Sequence, residues 1–79
     1  CKAANQGNVE AQYTLGLLYF TGQGIPTDYV LSYMWFNLSA AQGNETAQGN
    51  LGLLSEKMTK EQIAEAQKLS REWLAKRKK

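Results

Sequence analysis

Histidine is absent from these 79 residues, and cysteine and proline occur once each. Without His there is no Ser-His-Asp or Cys-His nucleophilic set and no usual zinc-ligand set. The lone Cys1 excludes an internal disulfide and has no imidazole base to make a catalytic dyad. The single Pro is compatible with helix, and the lack of long β-branched runs argues against a sheet. The Ala, Leu, Gln, Glu and Lys usage favours helix. No apolar run approaches the roughly 18 residues of a membrane span, and no stretch reads as a signal peptide.

Charge of one sign is also scarce in the body of the chain. Four of the nine basic residues are the last four, Lys76, Arg77, Lys78 and Lys79. The remaining five are set against seven acidic residues, so the body offers no basic face to nucleic acid. The tail reads as a solvated, fraying terminus; cations complementing a helix C-terminus, or a contact to anionic lipid or nucleic acid or a nuclear signal, are the other readings. The chain starts without Met and enters mid-helix, which is expected of a segment of a longer protein.

What is present is a repeat. Gln6–Leu18 reads QGNVEAQYTLGLL and Gln42–Leu54 reads QGNETAQGNLGLL, identical at 9 of 13 positions with an offset of 36. Ala4 and Ala40 extend the match. A period in the mid-thirties fits a helix–turn–helix unit that buries its apolar face only by stacking on a neighbour. Gly7 and Gly43 suit left-handed helix ends, and Asn8 and Asn44 suit the N-caps that follow. Helix A of repeat one is predicted over Val9–Thr21, with Ala11, Leu15 and Leu18 on one face and Tyr19 beside them. The run Gly22-Gln-Gly24-Ile-Pro26 ends it, and Thr27 or Asp28 can cap a helix B over Asp28–Gln42. Repeat two is predicted as Glu45–Lys57 and Lys60–Lys76, with Thr59 and Gln62 at capping-box spacing.

Gly16 and Gly52 fall in mid-helix, where Gly costs about 1 kcal/mol against Ala. Their recurrence predicts close helix approach at both places, with Ala3-Ala4 and Ala40-Ala41 serving helix B in the same way. Tyr29, Tyr33 and Phe36 share one stripe of helix B with Trp35 a step round, which reads as core and inter-repeat packing. Trp73 aligns with Ile63, Ala66, Leu69 and Ser70. The opposite face of that helix carries Lys60, Glu61, Glu65, Lys68 and Glu72, the polar back a terminal cap needs. Gly22-Gln23-Gly24 lacks the strand and Lys of a phosphate loop and reads as a turn.

These residues are similar to the Sel-one-like repeat family, relatives of the tetratricopeptide repeats. The match runs through Ala11, Leu15, Gly16, Tyr19, Gly22, Gly24, Ile25, Asp28, Trp35, Ala40, Ala41 and Gly43, with Ser32 in place of the usual Ala. Repeat two departs further: Ser55 replaces the Tyr, Glu56-Lys57-Met58-Thr59 replaces the glycine loop, and Ser70 and Trp73 keep the spacing of Ser32 and Trp35 at an offset of 38. The resemblance implies an all-α, right-handed α-α superhelix of two helix-pair repeats plus a remnant N-terminal turn. Residues 1–79 then form one domain: 1–7 ending a preceding helix B, 8–43 repeat one, and 44–79 a C-terminal capping repeat. It also implies a scaffold or adaptor role, often in bacterial secretion, signalling, envelope maintenance or host contact.

Helix A of repeat one is apolar on a second side, through Tyr13, Leu17 and Phe20. That side is expected to await a preceding repeat or a partner, which also leaves self-association open. The equivalents of Tyr13 and Phe20 are Gly49 and Glu56, so an apolar group persists only at Leu53. The expected ligand is a protein or peptide on the concave surface, meeting Tyr13, Thr14, Leu17 and Phe20 with Asn50 and Leu53. No cofactor, metal, nucleic acid or membrane span is expected. Two alternatives stay open. One is a purely structural cap of a longer solenoid. The other is a β-lactam-binding or hydrolysing activity, which the resemblance implies for secreted cysteine-rich relatives whose paired cysteines this chain lacks.

Overall fold

The structure, a computed structural model, describes residues 7–77. Four helices follow one another: α1 (Val9–Thr21), α2 (Tyr29–Ala41), α3 (Glu45–Ser55) and α4 (Lys60–Arg77). The expected remnant turn and Ala3-Ala4 lie outside the described residues.

Local chemistry fixes the helix ends. Asn8 Oδ1 accepts from the Ala11 N–H at 2.9 Å, and Asn44 Oδ1 accepts from the Ala47 N–H at 3.1 Å. Asp28, rather than Thr27, caps α2, accepting from the Leu31 N–H at 3.1 Å. Thr59 and Gln62 close a reciprocal box: Gln62 N–H donates to Thr59 Oγ1 at 3.1 Å and Thr59 N–H to Gln62 Oε1 at 2.9 Å. Each such cap satisfies N–H groups that the first helical turn leaves without partners, for about 1 kcal/mol. Gly22 ends α1 at φ 76°, and a side chain there would run into Thr27. α3 stops at Ser55, two residues before the expected end, because Lys57 N–H turns back to the Leu54 carbonyl at 2.8 Å.

α2 is the hub. It packs extensively on α1, α3 and α4, whereas α3 and α4 touch each other little. Its two faces seed two cores. One gathers Phe36, Ala47, Leu54, Met58 and Ala66, with Tyr13, Leu17, Phe20, Tyr29, Tyr33 and Ile63 around them. The other is Met34, Trp35 and Leu38, flanked by Ala11, Leu15 and Tyr19 from α1 and by Leu69 and Trp73 from α4. Trp35 and Trp73 meet edge to face at 6.0 Å, a geometry the ring quadrupoles favour.

The two repeated glycines do different things. Gly16 is buried, and a Cβ on it would lie 2.8 Å from Phe36 Cδ1. Beside it, Ser32 Oγ donates to the Gly16 carbonyl at 2.7 Å. Gly52 is exposed, with nothing within 4 Å of an added Cβ. The expected close approach at Gly52 is therefore corrected, because α4 leans on α2 instead of covering α3. The Ala40-Ala41 pair is corrected in part: Ala40 packs on the Phe36 core, but Ala41, the last helical residue, is exposed.

Candidate functional site: a groove between α1 and α3

The face of α1 that carries Tyr13, Leu17 and Phe20 packs toward α2, and α3 reaches it at Asn50. All three side chains are half-buried against the Phe36–Leu54 core. The expectation that this face awaits an absent neighbour is revised in part, since the Phe36–Leu54 core, chiefly through α2, already covers part of it. The Tyr13 ring lies 5.5 Å from that of Phe36, and the Phe20 ring 5.9 Å from that of Tyr29. Asn50 Nδ2 donates to the Tyr13 hydroxyl at 3.3 Å, joining α3 to α1 at the centre of the seam.

Where the seam opens there is a shallow groove of about 140 Å³ with the open solvent above it included, lined by Phe20, Phe36, Asn50, Leu53 and Leu54. Phe36 and Leu54 are fully buried and form its floor. Leu53 stands on the rim, 56% exposed. Asn50 contributes the polar wall, its amide nitrogen held by Tyr13 and its carbonyl oxygen oriented by the same contact.

Of the six residues expected to meet a partner, Phe20, Asn50 and Leu53 line this groove. Tyr13 positions Asn50, and Leu17 lies in the core cluster behind the groove. Thr14 is exposed on α1 and does not line it. Sequence reasoning assigned Phe36 to the core but did not see that its edge forms the floor. The signal was available in the matched Leu-Gly-Leu-Leu of both repeats, whose last residue, Leu54, meets Phe36.

A polar network at the junction of the two repeats was also missed. Gln12 is fully buried and its Oε1 accepts from Gln42 Nε2 at 2.8 Å; the same nitrogen reaches the Gly7 carbonyl at 3.0 Å. Ser39 Oγ donates to the Val9 carbonyl at 2.9 Å and accepts from Asn44 Nδ2 at 3.0 Å. Buried polar groups are tolerable only when so paired. The network fixes how far one repeat is shifted along the next, and hence the width of the seam. The recurrence of Gln at 6 and 42 and at 12 and 48 was the clue.

The groove is smaller than the roughly 300–1,000 Å³ of pockets that enclose small molecules or cofactors. Among the described residues no helix is long and apolar enough to cross a membrane. Residues 9–44 match the family model described as the Sel1 repeat, whose members generally mediate protein–protein interaction. This match, together with the all-helical architecture of the described residues, supports a Sel1-like repeat family for residues 9–44 and a Sel1-like helical repeat fold.

Proposed function

We propose that this chain is a protein-interaction module without catalytic activity, forming the closing end of a Sel1-type array. Residues 8–43 act as its internal repeat and 44–79 as its capping repeat. The reading is carried by the groove: an apolar floor of Phe36 and Leu54, an exposed Leu53 at the rim and an oriented Asn50 amide. Such a site takes an apolar side chain of a protein or peptide while Asn50 Oδ1 accepts from its backbone. Panning a displayed peptide library against the chain tests it. Selected peptides should lose binding to Leu53→Glu, a variant that leaves the melting temperature unchanged. Peptides that bind Leu53→Glu as well as the parent would place the site elsewhere.

A purely structural capping role is the second reading. It is favoured by the exposed Lys60, Glu61, Glu65, Lys68 and Glu72 on the back of α4, the polar outer face that terminal repeats use for solubility. Deleting residues 62–79 should then cause aggregation and not a selective loss of peptide binding.

A further inference from the structure

Charge is divided along this chain far more sharply than its net value shows. Residues 3–56 contain Glu10, Asp28, Glu45 and Glu56 and no Lys or Arg. Residues 57–79 contain eight bases against three acids. The groove belongs wholly to the acidic part, since its lining runs from Phe20 to Leu54.

Local structure concentrates negative charge where the groove opens. α2 returns antiparallel to α1: Asp28 N–H donates to the Tyr19 carbonyl at 3.0 Å, and at the far end Ser39 Oγ donates to the Val9 carbonyl. α3 turns back once more at Asn44, so α1 and α3 run the same way. Phe20 stands in the last turn of α1, and Leu53 and Leu54 in the last turn of α3. The groove therefore sits at the carboxyl ends of two helices, each equivalent to about half a negative charge. Neither helix has a base in its last turn to offset it.

Two carboxylates add to these ends. Glu56 is the exposed C-cap of α3, almost one turn beyond Leu53. Asp28 is fixed next to the end of α1 by its bond to Tyr19, and its neighbour Tyr29 meets the Phe20 ring at 5.9 Å. Lys57, exposed beside Glu56, offsets one of these charges, and the balance at the groove stays negative. The rings of Phe20 and Tyr29 act in the same sense, since an aromatic face attracts an ammonium or guanidinium group within about 6 Å.

We propose that the partner is a basic segment of another protein, in which the apolar residue that enters the groove has a Lys or Arg next to it. The inference rests on the groove being the binding site and names the chemistry that site selects. The apolar anchor packs on Phe36 and Leu54 beside the exposed Leu53. Its cationic neighbour meets the carboxyl ends of α1 and α3, between Asp28 and Glu56. An acidic segment with the same anchor is repelled.

Peptides panned from a random displayed library on the parent chain, and sorted by their loss of binding to Leu53→Glu, test it. Those that depend on Leu53 should carry Lys or Arg beside the apolar anchor at least about threefold more often than the unselected library, the factor a surface ion pair supplies. Raising salt from about 0.05 to 0.5 M should weaken them by about threefold or more. Asp28→Asn/Glu56→Gln removes both charges, and Asn caps a helix as well as Asp. That variant should weaken the basic peptides about threefold and leave unchanged a matched peptide with Gln in place of its Lys or Arg. Leu53-dependent peptides without basic enrichment, or with affinities indifferent to salt or to the double variant, would overturn the inference and leave the groove as the site. If no peptide depends on Leu53, the groove reading and this inference fall together. Leu53-dependent dimers of the chain alone in sedimentation would assign the groove to a second copy and overturn it too.

Discussion

Phe36 lies so close over Gly16 that a single methyl on that glycine would sit 2.8 Å from the ring. Gly52, at the same place in the other repeat, has open space above it. Two glycines with one sequence context thus have opposite consequences for stability. Gly16→Ala should destabilise by about 1–3 kcal/mol, the usual range for overpacking. Gly52→Ala should stabilise by about 0.4–1 kcal/mol, by removing backbone freedom from the unfolded chain and raising helix propensity. Urea midpoints of the two variants check the pair, and shifts of the same sign would contradict the packing described.

The N-cap asparagines are likewise unequal. Asn8 is exposed and accepts from Ala11, whereas Asn44 accepts from Ala47 and donates to Ser39. Replacing Asn8 with Ala should cost about 1 kcal/mol, the ordinary value of a cap. Asn44→Ala should cost about 0.5–1.5 kcal/mol more, since a second hydrogen bond is lost. Thermal melts of the two single variants measure the difference directly.

Trp73 is the main tie between α4 and the rest of the chain. Its replacement by Ala removes the edge contact with Trp35 and the packing on Met34 and Leu38. A loss of about 2–4 kcal/mol is expected, below the full value for a completely buried Trp because Trp73 is half-exposed. Trp73→Phe should recover part of it. Urea midpoints of the two variants measure the loss and its partial recovery.

Leu53→Glu separates binding from stability. The side chain is 56% exposed and contributes little to the core, so the melting temperature should move by less than about 2 °C, as for ordinary surface changes. Leu17→Glu, behind the groove on α1, should instead unfold the chain, because Leu17 is packed in the Phe36 core. Parallel melts of the two variants distinguish rim from core.

Much of this fold was legible before any coordinates. The 36-residue offset, the Gly-Asn pairs at 7–8 and 43–44, and the Thr59–Gln62 spacing gave the helices to within two residues at their ends. Apolar stripes named the buried side of α4 correctly, Ile63, Ala66, Leu69, Ser70 and Trp73. They could not say which neighbour that side meets, since an apolar stripe specifies burial and not a partner. For that reason Gly52 was read by analogy with Gly16, and the analogy failed. Of the groove lining, Phe20, Asn50 and Leu53 were legible in the sequence, where helix A of the second repeat loses its bulk at Gly49 and Glu56. Gln12 was invisible as a core residue because a Gln is ordinarily solvated, and only the position of Gln42 in space shows why it can be buried.

Repeat proteins ordinarily behave as chains of separable units, each holding only to its neighbour, so that ends can fray while the middle persists. α2 contradicts that arrangement here, since α1, α3 and α4 all rest on it. No helix can be peeled away as a self-contained pair, and the second repeat has no melting temperature of its own. A calorimetric scan should show one transition whose enthalpy belongs to the entire chain. In mechanical terms, a pull on α4 is felt first at the middle of the sequence and not at the helix that precedes it.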